Sequence, residues 1–184
     1  MESEGYNQEK VIKECKKGNI ASQRQLYRHY YSYAMSICLR YTENKETAEE
    51  VLNDSFLKVF KNMKKYDDSY SFKSWLRKII INTAVDHYRR NLKYIELLLD
   101  TTKNFHNCKN KAIDNLMTED ILVLLRNLKT THRLVFNLYE IEGYSHKEIA
   151  ALLDITEGTS RSYLKRAKEK LRILYKHYFN DTYE

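Results

Sequence analysis

A chain of 184 residues with 42% hydrophobic content, no Pro and only four Gly can build packed cores, but it lacks the turn punctuation that an all-β fold needs roughly every 8–12 residues. Abundant Leu, Ile, Lys, Glu and Tyr without breakers indicate an all-α protein. A formal net charge of +7 and a pI near 9.1 point to a polyanionic partner, either nucleic acid or an acidic membrane surface.

The opening residues, MESEGYNQEK, lack the apolar core of a signal peptide, and no run approaches the roughly 18 apolar residues of a membrane span. A cytoplasmic protein without membrane insertion is therefore expected. Cys15, Cys38 and Cys108 are too widely spaced for a CxxC metal site or a disulfide framework, and read as reduced thiols.

After a turn at KKGN, residues 16–19, the segment 21–41 places Leu26, Tyr30, Tyr33, Ala34, Ile37 and Cys38 at helical spacing. TENKETAEE then starts a second helix, with Thr42 or Asn44 as its N-cap and acids in its first turn. Its apolar face carries Ala48, Val51, Leu52, Ser55, Phe56, Val59, Phe60 and Met63, opposite Glu46, Glu49, Glu50 and Asp54. NMKKYDDSYS breaks the pattern. Ser71 can cap a third helix with the stripe Phe72, Trp75, Leu76, Ile79, Ile80, Thr83 and Ala84, ending in DHYRRN.

From about Leu92 to Ala112 the pattern is irregular and reads as a linker, with Ile95, Leu97, Leu98 and Leu99 as an apolar cluster that must dock somewhere. Helical period resumes at Ile113, and further helices span 130–141, 145–153 and 156–179. The expected organisation is two small helical domains, 1–92 and 113–184, joined by a flexible linker at 93–112.

Charge is segregated along the chain. Residues 71–93 and 157–176 are strongly basic, whereas 43–57 are acidic. In SHKEIAALLDITEGTSRSYLKRA, Ser145 and Glu148 form an S-x-x-E capping box, Asp154 to Thr156 make a tight turn, and Thr156 caps the next helix. Ile149, Leu152, Leu153, Ile155 and Leu164 supply the contacts between the two helices. This is a helix-turn-helix pattern, whose second helix enters the major groove of duplex DNA. Ser160, Arg161, Tyr163 and Lys165 would read bases, and Arg166 and Lys168 would contact phosphates. The alternative is an αα-hairpin whose charged face is merely solvated.

Tyr66, Tyr70, Phe72 and Trp75 lie beside Lys73, Arg77, Lys78, Arg89 and Arg90, and aromatics interleaved with cations suit single-stranded nucleic acid. Phe72 and Trp75 also fit the helical stripe as core, which is the favoured reading for Trp75. Tyr66 and Tyr70, in a polar loop, are the candidates for an unstacked base. The six His are scattered, and neither a paired-carboxylate cluster nor a phosphate-cradling Gly loop is present, so no enzyme, cofactor or metal is expected.

The ordered pair AEEVLNDSFLKVFKNMKKYDDSYSFKSWLRKIIINTAVDHYRR and THRLVFNLYEIEGYSHKEIAALLDITEGTSRSYLKRAKEKLR resembles the extracytoplasmic-function (ECF) sigma factors, the two-domain branch of the sigma-70 family. The resemblance implies an initiation factor that binds core RNA polymerase, recognises promoter DNA and melts it. Glu50, Asp54, Phe56 and Leu57 would dock on the β′ clamp helices, with the β flap as a second polymerase contact. The minus-10 element would meet Tyr66, Ser69, Tyr70, Phe72, Trp75, Lys78 and Asn82. The minus-35 element would meet Ser145, Ser160, Arg161, Tyr163, Lys165, Arg166 and Lys168. The linker would thread near the polymerase active-site channel, and an anti-sigma factor is expected as a regulator.

Four positions depart from the family pattern: Lys129 for a frequent Pro, Asp154 for Gly, Ser160 for Val and Tyr163 for a basic residue. Asp tolerates the left-handed turn, so the fold should survive. An ordinary duplex-binding repressor or activator is the competing reading, but it leaves the acidic face and the loop aromatics without a role.

Overall fold

The computed structural model describes residues 6–99 and 118–180, with the backbone alone for 93–99, 118–120 and 178–180. Among the described residues eight α-helices occur in this order: α1 (Gln8–Lys16), α2 (Ile20–Tyr41), α3 (Lys45–Asn62), α4 (Phe72–Leu99), α5 (Thr118–Arg126), α6 (Thr130–Phe136), α7 (His146–Leu153) and α8 (Glu157–Asn180). A 3₁₀ turn, Met63–Lys65, follows α3, and a π turn, Asn137–Ile141, follows α6. No strand occurs among the described residues, in keeping with the all-α expectation.

The chain forms two compact units, residues 1–38 with 44–84 and residues 39–43 with 85–184. The first buries Val11, Ile12 and Cys15 of α1, Leu26, Ala34 and Ile37 of α2, Val51, Leu52, Phe56 and Val59 of α3, and Phe72, Leu76 and Ile80 of α4. In the second, Leu125, Leu128 and Ala167 form a cluster flanked by Phe136 and Leu171, and Leu134, Leu138, Ile149, Leu153 and Leu164 are buried as well. Arg133 is also buried here, and desolvation brings its pKa down to about 10. Cys15 and Cys38 are buried thiols whose pKa values burial raises to about 11 and about 12, which keeps both protonated and unreactive.

Local chemistry accounts for the helix boundaries. Asn44 caps α3, its Oδ1 accepting from Thr47 N at 2.8 Å. α1 was not apparent from periodicity, yet Asn7 Oδ1 accepts from Lys10 N at 3.0 Å at its start. At its end Gly18 adopts φ +85°, where Gly18 N donates to Cys15 O at 3.0 Å and Asn19 N to Glu14 O at 3.1 Å. α4 outruns the expected break at DHYRRN and continues as helix through 93–99, because no Gly or Pro interrupts that stretch. The apolar cluster Ile95 to Leu99 therefore lies on helical backbone, while its side chains fall outside the described residues.

α7 and α8 are joined as expected. Ser145 Oγ and Glu148 complete the capping box, with Ser145 N donating to Glu148 Oε2 at 2.8 Å. Asp154 takes the left-handed conformation, φ 56° and ψ 50°, and Thr156 Oγ1 accepts from Thr159 N at 3.1 Å to start α8.

The α3 faces divide sharply at two adjacent residues: Phe56 is 2% exposed, with its ring 4.7 Å from that of Tyr27, whereas Leu57 is 67% exposed. Phe56→Ala should lower the unfolding free energy by about 3–5 kcal/mol. Leu57→Ala should change it by no more than about 0.5 kcal/mol. Urea denaturation of both variants checks this contrast.

Candidate nucleic-acid interface

In the first unit, the loop between the 3₁₀ turn and α4 is held from within. Asp67 Oδ1 accepts from Ser69 N at 2.9 Å, which holds its carboxyl below the usual range, and Tyr70 N donates to Asp67 O at 3.2 Å. The Tyr66 hydroxyl donates to Tyr70 O. Its ring lies edge-on to Phe72 at 5.4 Å and tilted against Trp75 at 5.0 Å, and Phe72 in turn meets Tyr30 at 5.0 Å. From α1, Lys16 Nζ pairs with Asp68 Oδ2 at 2.6 Å and sits 5.4 Å from the centre of the Tyr66 ring.

This arrangement corrects the expectation for two aromatics. Tyr66 is 6% exposed and its pKa is raised by burial, so it is a strut of the loop rather than a free stacking surface. Phe72, 1% exposed, is core. Trp75 is half-buried against both, and Tyr70 stands out at 71% exposure. Ser69 and Lys78 are exposed and Asn82 is half-buried. Trp75, Lys78 and Asn82 share one face of α4 at i, i+3 and i+7 spacing. Lys73, one of the cations named above, sets its Nζ 4.5 Å from the centre of the Tyr33 ring, on the side of α4 away from this face.

On α3, Glu50 and Leu57 are exposed and Asp54 is half-buried. Phe56, expected among the docking residues, belongs to the core because it continues the Leu52, Val59 stripe rather than the acidic face.

In the second unit, α8 presents Arg161, Lys165 and Arg166 to solvent. Arg161 pairs with Glu157 at 2.9 Å along the helix, and Lys168, half-buried, pairs with Glu140 at 2.7 Å. Exposed pairs of this kind are weak and exchange readily for phosphate. Tyr163 is half-buried with its ring 4.9 Å from that of His132. Ser145 is exposed, but its hydroxyl is engaged with Glu148.

Ser160 does not join the exposed residues. It is fully buried, with its Oγ 2.9 Å from His146 Nδ1, because it falls one and two turns before Leu164 and Ala167 on the inward stripe of α8. His146, overlooked in the sequence, stacks on Tyr139 at 4.5 Å and thus joins the π turn, α7 and α8.

Residues 26–93 match the family model Sigma-70 region 2, and residues 118–171 match Sigma-70, region 4. The chain is 25% identical over 159 residues to the ECF RNA polymerase sigma factor SigM of Bacillus subtilis, spanning 85% of this chain and 97% of that one. It is 26% identical over 175 residues to SigW of the same organism, spanning 89% and 94%. The chain belongs to the ECF sigma factors of the sigma-70 family.

As an ECF sigma factor it is a DNA-binding protein of transcription initiation and its regulation. Its fold is similar to that of the sigma factor RpoE in a co-crystal with the anti-sigma factor NepR from Bartonella quintana, with a TM-score of 0.51 and 19% identity over 83% of this chain and 96% of that one. Among its described residues no helix is long and apolar enough to cross a membrane.

Burial, and then the charge of Arg161, lowers the His146 pKa below its usual value, while Glu157 opposes the shift. As pH falls, the unfolded chain takes up this proton first, so the associated stability is complete above about pH 6.5 and is lost below it. The thermal midpoint should therefore decline between pH 7.5 and 5.5, and His146→Gln should flatten that decline. An unchanged slope in the variant would contradict the assignment.

Proposed function

We propose that this sigma factor divides promoter recognition between its two matched regions. Residues 1–92 bind core RNA polymerase and the minus-10 element, 93–112 connect, and 113–184 hold the minus-35 element as duplex. Exposed Leu57 beside Glu50 and Asp54 offers an apolar contact within an acidic surface, which suits the β′ clamp helices. The β flap and an anti-sigma factor are further partners, and the cytoplasm is the place of action.

The observation that carries this reading is the exposure of Tyr70, at 71%, on a loop fixed at both ends. Extruding a base costs a few kcal/mol of stacking and pairing. Stacking on an exposed aromatic returns about 1–3 kcal/mol per base, while Lys78 neutralises a displaced phosphate. Lys78 and Asn82 add polar contacts along α4. Duplex affinity upstream rests on Arg161, Lys165 and Arg166 at the exposed side of α8, with Tyr163 and Lys168 at its margins. Ser145 and Ser160 act through the positions of α7 and α8, since their hydroxyls are already engaged.

Holoenzyme reconstituted from core RNA polymerase and the full chain tests both halves. Arg161→Ala should weaken promoter binding by about 1–3 kcal/mol and relax preference at one upstream base pair. Tyr70→Ala should leave duplex binding intact but reduce permanganate reactivity of thymines near the start site. Tyr66→Ala, by contrast, should lower thermal stability, because its ring is packed.

A further inference from the structure

α1 lies before the matched residues 26–93. Its apolar side chains serve the fold, with Val11, Ile12 and Cys15 all buried. Its outer face is a stripe of lysines. Lys10, Lys13 and Lys17, the last of them the residue that closes the helix, are exposed at i, i+3 and i+7, which sets them along one side over about 10 Å. Lys17 Nζ pairs with Glu14 Oε1 at 2.8 Å, and this bond, with the charges of Lys17, Lys13 and Lys10, holds the Glu14 carboxyl below its usual range. Like charges at three- and four-residue spacing destabilise a helix, and a helix of nine residues has little else to offset them.

The cationic surface continues beyond α1. The 3₁₀ turn packs against α1 and adds exposed Lys64 and Lys65. Lys13 and Lys16 face the loop, and Lys16 Nζ ties it to α1 through Asp68 Oδ2 at 2.6 Å. The lysines therefore border the loop that carries exposed Tyr70.

The make-up of the surface selects its partner. An acidic membrane needs apolar side chains beside the cations, and those of α1 are buried. A protein partner needs aromatic or apolar anchors, and Lys is depleted in such interfaces. Exposed Ile20, at the start of α2, is too small a patch to serve as one. A phosphodiester backbone needs only cations at regular intervals.

We propose that the lysine stripe of α1 is a sequence-independent track for DNA backbone: Lys10, Lys13 and Lys17 neutralise phosphates of the single strand that leaves the loop. This rests on the reading of the loop as a single-strand-binding segment.

The test titrates holoenzyme, made from core RNA polymerase and the full chain, with a labelled fork template that is duplex upstream and single-stranded from the minus-10 element onward. Binding is followed by fluorescence anisotropy at several salt concentrations. Each phosphate contact on a single strand contributes about 0.7 to the slope of log K against log salt. Lys10→Gln, Lys13→Gln and Lys17→Gln together should therefore reduce the slope by about 2 and weaken binding about 10- to 100-fold near 0.1 M salt. The same factor should be lost on a fork with a scrambled minus-10 sequence, because phosphates carry no sequence information. A duplex fragment that ends upstream of the minus-10 element should bind parent and variant alike. Glu14→Gln, which removes an acid from the stripe, should tighten the fork about two- to fivefold.

An unaltered slope while the parent binds the fork would remove the α1 assignment and leave the sigma-factor reading standing. An equal loss on the upstream duplex would also overturn the proposal, since the stripe would then act on intact helix. If the triple variant no longer co-elutes with core polymerase, the stripe is a polymerase contact and the proposal falls. A parent that gains no affinity from the single-stranded arm would take the loop reading down with it.

Discussion

The packing of Tyr30, Tyr66, Phe72 and Trp75 is the constraint on which the proposed promoter-facing surface depends. Both ends of the loop enter this cluster, Tyr66 from the 3₁₀ turn and Phe72 from the first residue of α4. With the ends held by buried rings and the middle by Asp67 and Lys16, the backbone of the loop is set before any ligand arrives. Tyr70 is then displayed rather than collapsed. Preorganisation of this kind matters because a loop that had to order on binding would lose much of its stacking energy to conformational entropy.

The second unit faces the opposite requirement, presenting charge on a rigid helix without opening anything. α8 turns Ser160, Leu164 and Ala167 inward and leaves Arg161, Lys165 and Arg166 outside. The capping box at Ser145, the left-handed Asp154 and the Thr156 cap fix the angle between α7 and α8. His146 locks the same corner from inside through Ser160 and Tyr139. Like charges crowded on α8 repel one another, and intrahelical pairs such as Arg161 with Glu157 relieve this only slightly. A polyanion relieves it far more, and the resulting counterion release makes the affinity depend on salt.

Much of this was legible in the chain because it is local. Ser145, Glu148, Asp154 and Thr156 announce their turn and caps within a dozen residues, and the stripes of α2 and α3 follow from helical period. Ser160 was placed among the base readers by its position near the start of the second helix of the helix-turn-helix, although it continues the inward stripe, whereas Phe56 sits on the apolar face that spacing gave it and only the family resemblance put it among the docking residues. Tyr66 differs, since it packs on rings that come from α4 and under a lysine 50 residues earlier. α1 escaped notice because nine residues give little more than two helical turns of pattern, although Asn7 and Gly18 mark its ends.

On the proposed reading the two units meet nucleic acid in different states, the first as single strand and the second as intact duplex. Transcription by core RNA polymerase and this chain should be compared on a closed promoter and on the same promoter with a pre-opened bubble at the start site. The account predicts that Tyr70→Ala fails on the closed template and recovers parental output on the open one. Equal deficits on both templates would place Tyr70 outside strand separation and contradict the division of labour.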